Sequence, residues 1–302
     1  MSDIEVEFYR AEQRLVVHTI GDGSTGGGGR AGIMWPMAGL VALFAGVFGL
    51  LFGSFGNVVI HRVPEGRSVV RPPSACPGCG NKISPRDNIP VLSWLLLRGK
   101  CRHCGQPISG RYPAVELTSG VMFAAVGWWL ASMEPPDYWA LPGMLLFAWM
   151  LLVVTFIDLA TKRIPNALTY PLTPVLLVLL VGAAVLNGEP SVALRVVGGG
   201  LAAFGFLLLL ALIYPRGMGM GDVKFAAFLG MGLGYVSWGT VVIGMFVAFL
   251  GGGIISSIVL AARKGDRKDQ IPFGPFLAAG SFVALFVGPT LVDAYLRFSG
   301  LR

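Results

Sequence analysis

Seven stretches of this 302-residue chain carry no charged side chain: residues 31–60, 117–133, 138–157, 164–188, 196–215, 225–262 and 271–292. Lipid offers backbone amides no partner, so an apolar segment crosses as a helix, and about 20 residues span a hydrocarbon core of about 30 Å. Six of the runs fit one crossing each, with 117–133 drawing on its flanks. The seventh, 225–262, would be about 57 Å long as a single helix. It is expected to fold back at Gly232–Gly239 and give two crossings. The expected fold class is an all-α polytopic membrane protein of about eight transmembrane helices. Composition agrees, because charged residues are 13% of the chain and hydrophobic ones 54%. A soluble domain carries about 25% charge. That deficit excludes a water-soluble enzyme, a disordered chain and a nucleic-acid-binding domain. The 43 glycines show no Gly-X-Y period, which excludes collagen.

Charge orients the spans. Residues 61–112 hold nine basic side chains (Arg62, Arg67, Arg71, Lys82, Arg86, Arg98, Lys100, Arg102, Arg111) against Glu65 and Asp87. Lys162–Arg163 and Arg263–Lys264–Arg267–Lys268 are the other dense basic points, while Glu134, Asp137 and Glu189 mark the intervening turns. Basic loops stay in the cytoplasm. The expected topology therefore puts the basic set there and both termini outside. The formal charge of +7 points to anionic membrane lipid as a partner before nucleic acid.

Four segments follow. Residues 1–32 form a polar head, with a strand-like stretch from Ile4 to Ile20 and a Gly-rich linker from Gly21 to Gly32. No basic segment precedes a short apolar core, so a cleaved signal peptide is not expected there. Residues 33–60 are transmembrane helix 1, residues 61–112 a cytoplasmic cysteine domain, and residues 113–298 a membrane domain with helices 2–8. Gly49–xxx–Gly53 and the glycine triplets 198–200 and 251–253 suit close helix packing in lipid.

All four cysteines lie in the third segment, as Cys76-Pro-Gly-Cys79-Gly and Cys101-Arg-His-Cys104-Gly. Two such knuckles supply four thiolates, enough to close a tetrahedral structural zinc (Zn²⁺) site. A reducing compartment disfavours the alternative of two disulfides. His103 is a bystander, and four cysteines leave no open position for catalysis by the metal. Zinc would give this short loop a fold that its small core cannot.

Acids at the edges of apolar runs are functional candidates, because lipid makes them costly. Four qualify: Glu116, Asp158, Asp222 and Asp293. Asp158 closes the run 138–157 and precedes Lys162-Arg163-Ile164-Pro165-Asn166. Asp222 sits in Gly217-Met218-Gly219-Met220-Gly221-Asp222-Val223-Lys224. The topology puts both at the cytoplasmic face, where the glycines allow close approach and strained turns. Two carboxylates so placed suggest an aspartic hydrolase. One ionised acid takes a proton from attacking water, and one protonated acid stabilises the oxyanion and protonates the leaving amine. The plainer alternative pairs Asp158 with Lys162 and Asp222 with Lys224 at the interface. Asp293 reads as a surface acid. Glu116 has two readings, a partner for Arg111 or a group that orients the site.

The motifs carry a family resemblance. Gly53-Ser-Phe-Gly-Asn57-Val-Val-Ile-His-Arg62-Val-Pro64, the knuckles around Asp87-Asn-Ile-Pro-Val-Leu-Ser-Trp94, Arg111-Tyr-Pro-Ala-Val-Glu116-Leu, Asp158 with Ile164-Pro165-Asn166, and Gly219-Met-Gly-Asp222-Val-Lys224 stand in order. Over about residues 50–280 the chain resembles the bacterial type IV prepilin leader peptidase/N-methyltransferases; only the head departs from that pattern. The resemblance implies an inner-membrane aspartic protease of the GxGD kind. It would remove the basic leader of type IV prepilins or type II secretion pseudopilins at the cytoplasmic membrane face. It would then methylate the new N-terminal residue with S-adenosylmethionine. Asp158 and Asp222 match the catalytic pair, with Gly219, Gly221 and Lys224 as support, Cys76, Cys79, Cys101 and Cys104 as metal ligands, and Asn57, Arg62 and Glu116 as a second tier. No Rossmann-type fingerprint marks a seat for S-adenosylmethionine.

Two rivals stand beside this reading. A transporter could relay protons or bind cations through Asp158 and Asp222, but no repeat of the GxGD turn or the cysteine loop appears in a matching half. A peptidase without methyl transfer is the narrower alternative. The sequence leaves the oligomeric state open.

Overall fold

A computed structural model describes residues 31–215, 218–262 and 271–300. The strand-like stretch and most of the Gly-rich linker lie outside them, as do Gly217 and the basic cluster 263–268. Among the described residues the chain is helical and holds no strand. The helices are α1 (Ala31–Arg62), α2 (Leu92–Leu96), α3 (Arg111–Ala131), α4 (Leu141–Thr161), α5 (Asn166–Leu186), α6 (Pro190–Ile213), α7 (Met220–Val236), α8 (Trp238–Ala262) and α9 (Gly274–Phe298). Seven of them are long and apolar enough to cross a membrane. The remaining long one, α7, has 17 residues, about 25 Å of helix.

The long run 225–262 does divide inside the expected window, though the breaking residue is a serine. Ser237 is extended (φ −166°, ψ 164°), and its Oγ accepts the N–H of Thr240 at 3.0 Å. That contact caps the start of α8 by satisfying a backbone donor the helix cannot. Prolines in the first turns of α4, α6 and α9 mark other starts, where a missing N–H costs nothing. Several helices outrun their uncharged runs. Helix α4 continues to Thr161 and carries Asp158 inward, and α9 continues to Phe298 and carries Asp293.

Lipid tails are as apolar as leucine, so these helices associate through close packing. The antiparallel pair α1–α3 meets at Gly49 and Gly53, where a Cβ would stand 2.6 Å from Ser119 O and from Glu116 Cα. The pair α6–α7 meets where Gly199 faces Gly230 and Gly234, and α8–α9 where Gly280 faces Gly244 and Ala248. The triplet 198–200 is packed throughout. Of residues 251–253, Gly252 meets the Phe273 and Phe276 rings, while a Cβ on Gly251 or Gly253 meets nothing within 4 Å among the described residues. Helix α4 is central, touching α1, α3, α5, α7 and α9, and buries Met144, Phe147, Met150, Leu151 and Ile157 completely.

Alternating directions bring the C-terminal ends of α1, α4, α6 and α8 and the N-terminal ends of α3, α5, α7 and α9 to one side. The loop 63–110 is on that side too, and Ala31 and Phe298 are on the other.

Candidate active site and metal centre

Asp158 lies in the last turns of α4 and is buried. Helix α9 begins against it, and the Gly274 N–H donates to Asp158 Oδ2 at 2.9 Å. That amide is one of the N-terminal donors that an α-helix leaves without an internal partner. Asp222 lies in the first turn of α7, close enough to Asp158 for the two charges to interact. The pair that the sequence separates by a helical hairpin is therefore brought together at one end of the bundle.

Gly219 and Gly221 support this arrangement through space rather than through strained turns. Gly219 caps α7 with ordinary extended geometry (φ −77°, ψ 140°), and neither glycine has a positive φ. A Cβ on Gly219 would stand 3.1 Å from Asp222 Oδ2, and one on Gly221 3.1 Å from Ile164 Cβ. The small turn thus seats α7 against the α4–α5 link without crowding the carboxyl.

Of the two cations in the plainer alternative, Lys224 is engaged elsewhere. Lys224 donates to Asn166 Oδ1 at 3.1 Å and lies over the Tyr170 ring, 4.9 Å from its centroid. Lys162 caps α4 in the left-handed region, its N–H donating to the Asp158 carbonyl at 2.7 Å. Among the described residues no ion pair joins either lysine to either aspartate. Two neighbouring acids without a neutralising cation are the kind of arrangement that general acid–base hydrolysis uses.

Glu116 is not paired with Arg111. Its Oε2 accepts the Val91 N–H at 2.7 Å, and the Ser54 hydroxyl also bonds it. Arg111 instead lies over the Phe156 ring at 5.4 Å. Glu116 therefore ties the cysteine loop to α1 and α3. Asn57 makes a parallel tie, its Nδ2 donating to Tyr112 O at 3.0 Å, and Arg62 reaches Ser68 O at 3.0 Å. Asp293 is buried and paired with Arg297 at 2.8 Å, so it is not the surface acid expected. The residue that sequence reading missed is Gly274. The available signal was Phe273-Gly274-Pro275 at the head of a run, which marks a helix start and its free amides.

The two knuckles have the same backbone build. In each, the first cysteine N–H bonds the carbonyl five residues on (Cys76 to Asn81, 2.9 Å; Cys101 to Gln106, 2.8 Å). The following glycine N–H returns to that cysteine's carbonyl (Gly80 2.8 Å, Gly105 3.0 Å). Gly80 and Gly105 have φ of +69° and +72°, a region costly for residues with a Cβ. The four Sγ atoms all lie within 4.8 Å of one another, and Cys76 Sγ is 3.7 Å from Cys104 Sγ. Tetrahedral zinc with Zn–S near 2.3 Å has sulfur–sulfur edges of about 3.8 Å, so the cluster fits that metal. His103 is not among these ligands. Backbone amides of Cys104 and His103 pull the Cys101 thiol down to about 6. At Cys104 the Gln106 amide likewise pulls the thiol down, but burial and the neighbouring sulfurs outweigh it and push the thiol up to about 11. The protons thus belong to the cluster as a whole.

Two family models match the chain. One, described as bacterial peptidase A24 N-terminal domain, matches residues 47–130; the other, described as type IV leader peptidase family, matches residues 145–257. The chain is 36% identical over 299 residues to a prepilin leader peptidase/N-methyltransferase of Aeromonas hydrophila, covering 88% of this chain and 96% of that relative. Proteins of the same name from Stutzerimonas stutzeri (35% over 283 residues, 86% and 95% covered) and Pseudomonas aeruginosa (34% over 286 residues, 85% and 93% covered) are also similar to it. No solved structure matches it.

Proposed function

The chain belongs to the type IV leader peptidase family, and on that premise we propose that it cleaves the basic leader from prepilins or pseudopilins and then N-methylates the new terminus. The observation that carries the reading is the Asp158–Asp222 pair, with Lys224 engaged by Asn166 and, among the described residues, no ion pair from either lysine to either aspartate. One aspartate accepts the proton of the attacking water. The other donates to the carbonyl oxygen as charge develops and then to the leaving amine. The Gly274 amide fixes the Asp158 carboxylate during this exchange. Gly219 and Gly221 leave room for Asp222 and for the close seating of α7, while Lys224 pins the start of α7 to α5.

We place this end of the bundle at the cytoplasmic face of the inner membrane, with both termini outside, because the basic loops gather there. A substrate that is itself a membrane helix with a basic leader would present its scissile bond at this boundary. Cys76, Cys79, Cys101 and Cys104 would hold zinc, whose contribution in a closed four-thiolate site is to fold the loop. S-adenosylmethionine is the second substrate, and the loop on the same side of the bundle as the aspartates is the candidate region for methyl transfer. Asp158→Ala and Asp222→Ala proteins, each recovered from the membrane fraction, test the assignment. Both are expected to leave a prepilin uncut, and normal cleavage by both would sink it.

A further inference from the structure

The cysteine loop has a feature that neither metal binding nor catalysis uses. Helix α2 turns one face into the loop. Ser93 Oγ donates to Arg86 O and accepts the Ile89 N–H, both at 2.9 Å, and Trp94 Nε1 donates to Ile108 O at 3.1 Å. The opposite face carries Leu92, Leu95 and Leu96, at i, i+3 and i+4, with 48%, 58% and 73% of their surface exposed. Ile89, just ahead, is exposed as well. A small loop domain that leaves three adjacent leucines open has not finished burying its apolar surface.

Depth decides what covers them. The Val91 N–H immediately before α2 is held by Glu116, and the Glu116 Cα lies against Gly53 of α1. Gly53 is seven residues inside the end of the uncharged run at Ile60, about 10 Å along the helix. Val91 is therefore within one side chain's length of the apolar zone, held by the residue that precedes Leu117, which α3 leaves exposed. Flanking α2 are Arg86, Arg98 and Lys100, all exposed and without an ion-pair partner among the described residues. Arg102, farther along, is already neutralised by Asp87 at 2.6 Å.

We propose that α2 is an interfacial anchor, its leucines inserted at the acyl boundary of the leaflet beside α1 and α3, and Arg86, Arg98 and Lys100 set against anionic phospholipid headgroups. Apolar side chains on one face flanked by cations are what an in-plane helix uses to lie in a membrane surface. Glu116 sets the depth of this anchor through Val91. That residue holds φ +60°, which a β-branched side chain adopts only under constraint. The inference rests on the membrane placement of the helices and stands whether or not the chain cleaves pilins.

Its test uses the full chain in vesicles, with a benzophenone amino acid at Leu95 or, as a control, at exposed Lys82. One vesicle set contains phosphatidylglycerol and phosphatidylethanolamine; the other contains phosphatidylcholine alone. Zinc content confirms that each variant keeps its folded loop. Illumination is expected to give lipid adducts at Leu95 and none at Lys82, with higher yield on the anionic vesicles. Arg98→Gln should reduce that anionic preference without changing the yield on phosphatidylcholine. Leu95 adducts formed only to protein, whether a second copy or an added prepilin, or no adducts at all, would overturn the proposal. Equal yields on both vesicle types would overturn its headgroup half.

Discussion

Replacing Gly274 by alanine puts a methyl group in place of a hydrogen at the point where α9 meets Asp158. The new Cβ would stand 2.8 Å from Asp158 Oδ2, 3.2 Å from its Cγ and 3.3 Å from its Cβ. The first distance is well inside van der Waals contact, and the other two leave the carboxyl little freedom to tilt away. Either the start of α9 retreats and the 2.9 Å hydrogen bond breaks, or the carboxylate shifts by a fraction of an ångström to about 1 Å. A hydrogen bond to a charged group contributes about 1.5–3 kcal/mol. A displacement of 1 Å in a catalytic group costs about 10²-fold in rate, close to the same energy. The expected result is a fall of about 10²-fold in kcat/KM for prepilin cleavage, with a melting temperature lowered by several degrees at most. Gly253→Ala, at a position where a Cβ meets nothing within 4 Å, is the matched control and should cleave normally. Unimpaired cleavage by a folded Gly274→Ala protein would refute the claim that this amide positions a catalytic acid.

Metal analysis of the purified protein should find one zinc per chain, lost on treatment with a strong chelator, and Cys101→Ser should lower zinc content and methylation while sparing cleavage more. Methyl transfer that persists after complete zinc removal would contradict the structural role given to the cluster. Glu116→Ala removes the acceptor of the Val91 N–H and should speed hydrogen exchange across residues 89–97, by about tenfold if the lost bond contributes about 1.4 kcal/mol. Unchanged exchange there would mean that other contacts hold the loop. Leucine at Gly199 should destabilise the α6–α7 pair severely, because a Cβ there would stand 2.5 Å from the Gly230 carbonyl. Normal membrane accumulation and an unchanged melting temperature would contradict that packing.

The parts legible in the sequence are those where chemistry leaves few choices. Lipid forces uncharged runs to become helices, so the spans can be read from charge, and the division of 225–262 from its length. Four cysteines in two knuckles, each followed by glycine, announce a metal site because the turn needs a positive φ at Gly80 and Gly105. What could not be read depends on partners distant in the chain. Gly274 bonds a carboxyl 116 residues away, and no local pattern reports that. Asp293 looked like a surface acid because it stands beyond an apolar run, yet α9 continues past it and Arg297 one turn on pairs with it. Glu116 has Arg111 within its own helix as an obvious mate, but the fold offers it the Val91 amide. The division before α8 was assigned to glycines, while the residue that makes it is Ser237, whose side chain caps the next helix.

The most direct test of the central claim is mass spectrometry of a prepilin incubated with the purified protein, detergent and S-adenosylmethionine, beside the Asp222→Ala protein. The account predicts a product lacking its leader and heavier by one methyl group, with neither change in the Asp222→Ala sample. Leader removal without the methyl would leave a peptidase and remove the cysteine loop's proposed part in methyl transfer. A prepilin left intact by the wild-type protein, across several prepilins, or cut equally by Asp222→Ala, would contradict the aspartate pair as the catalytic centre.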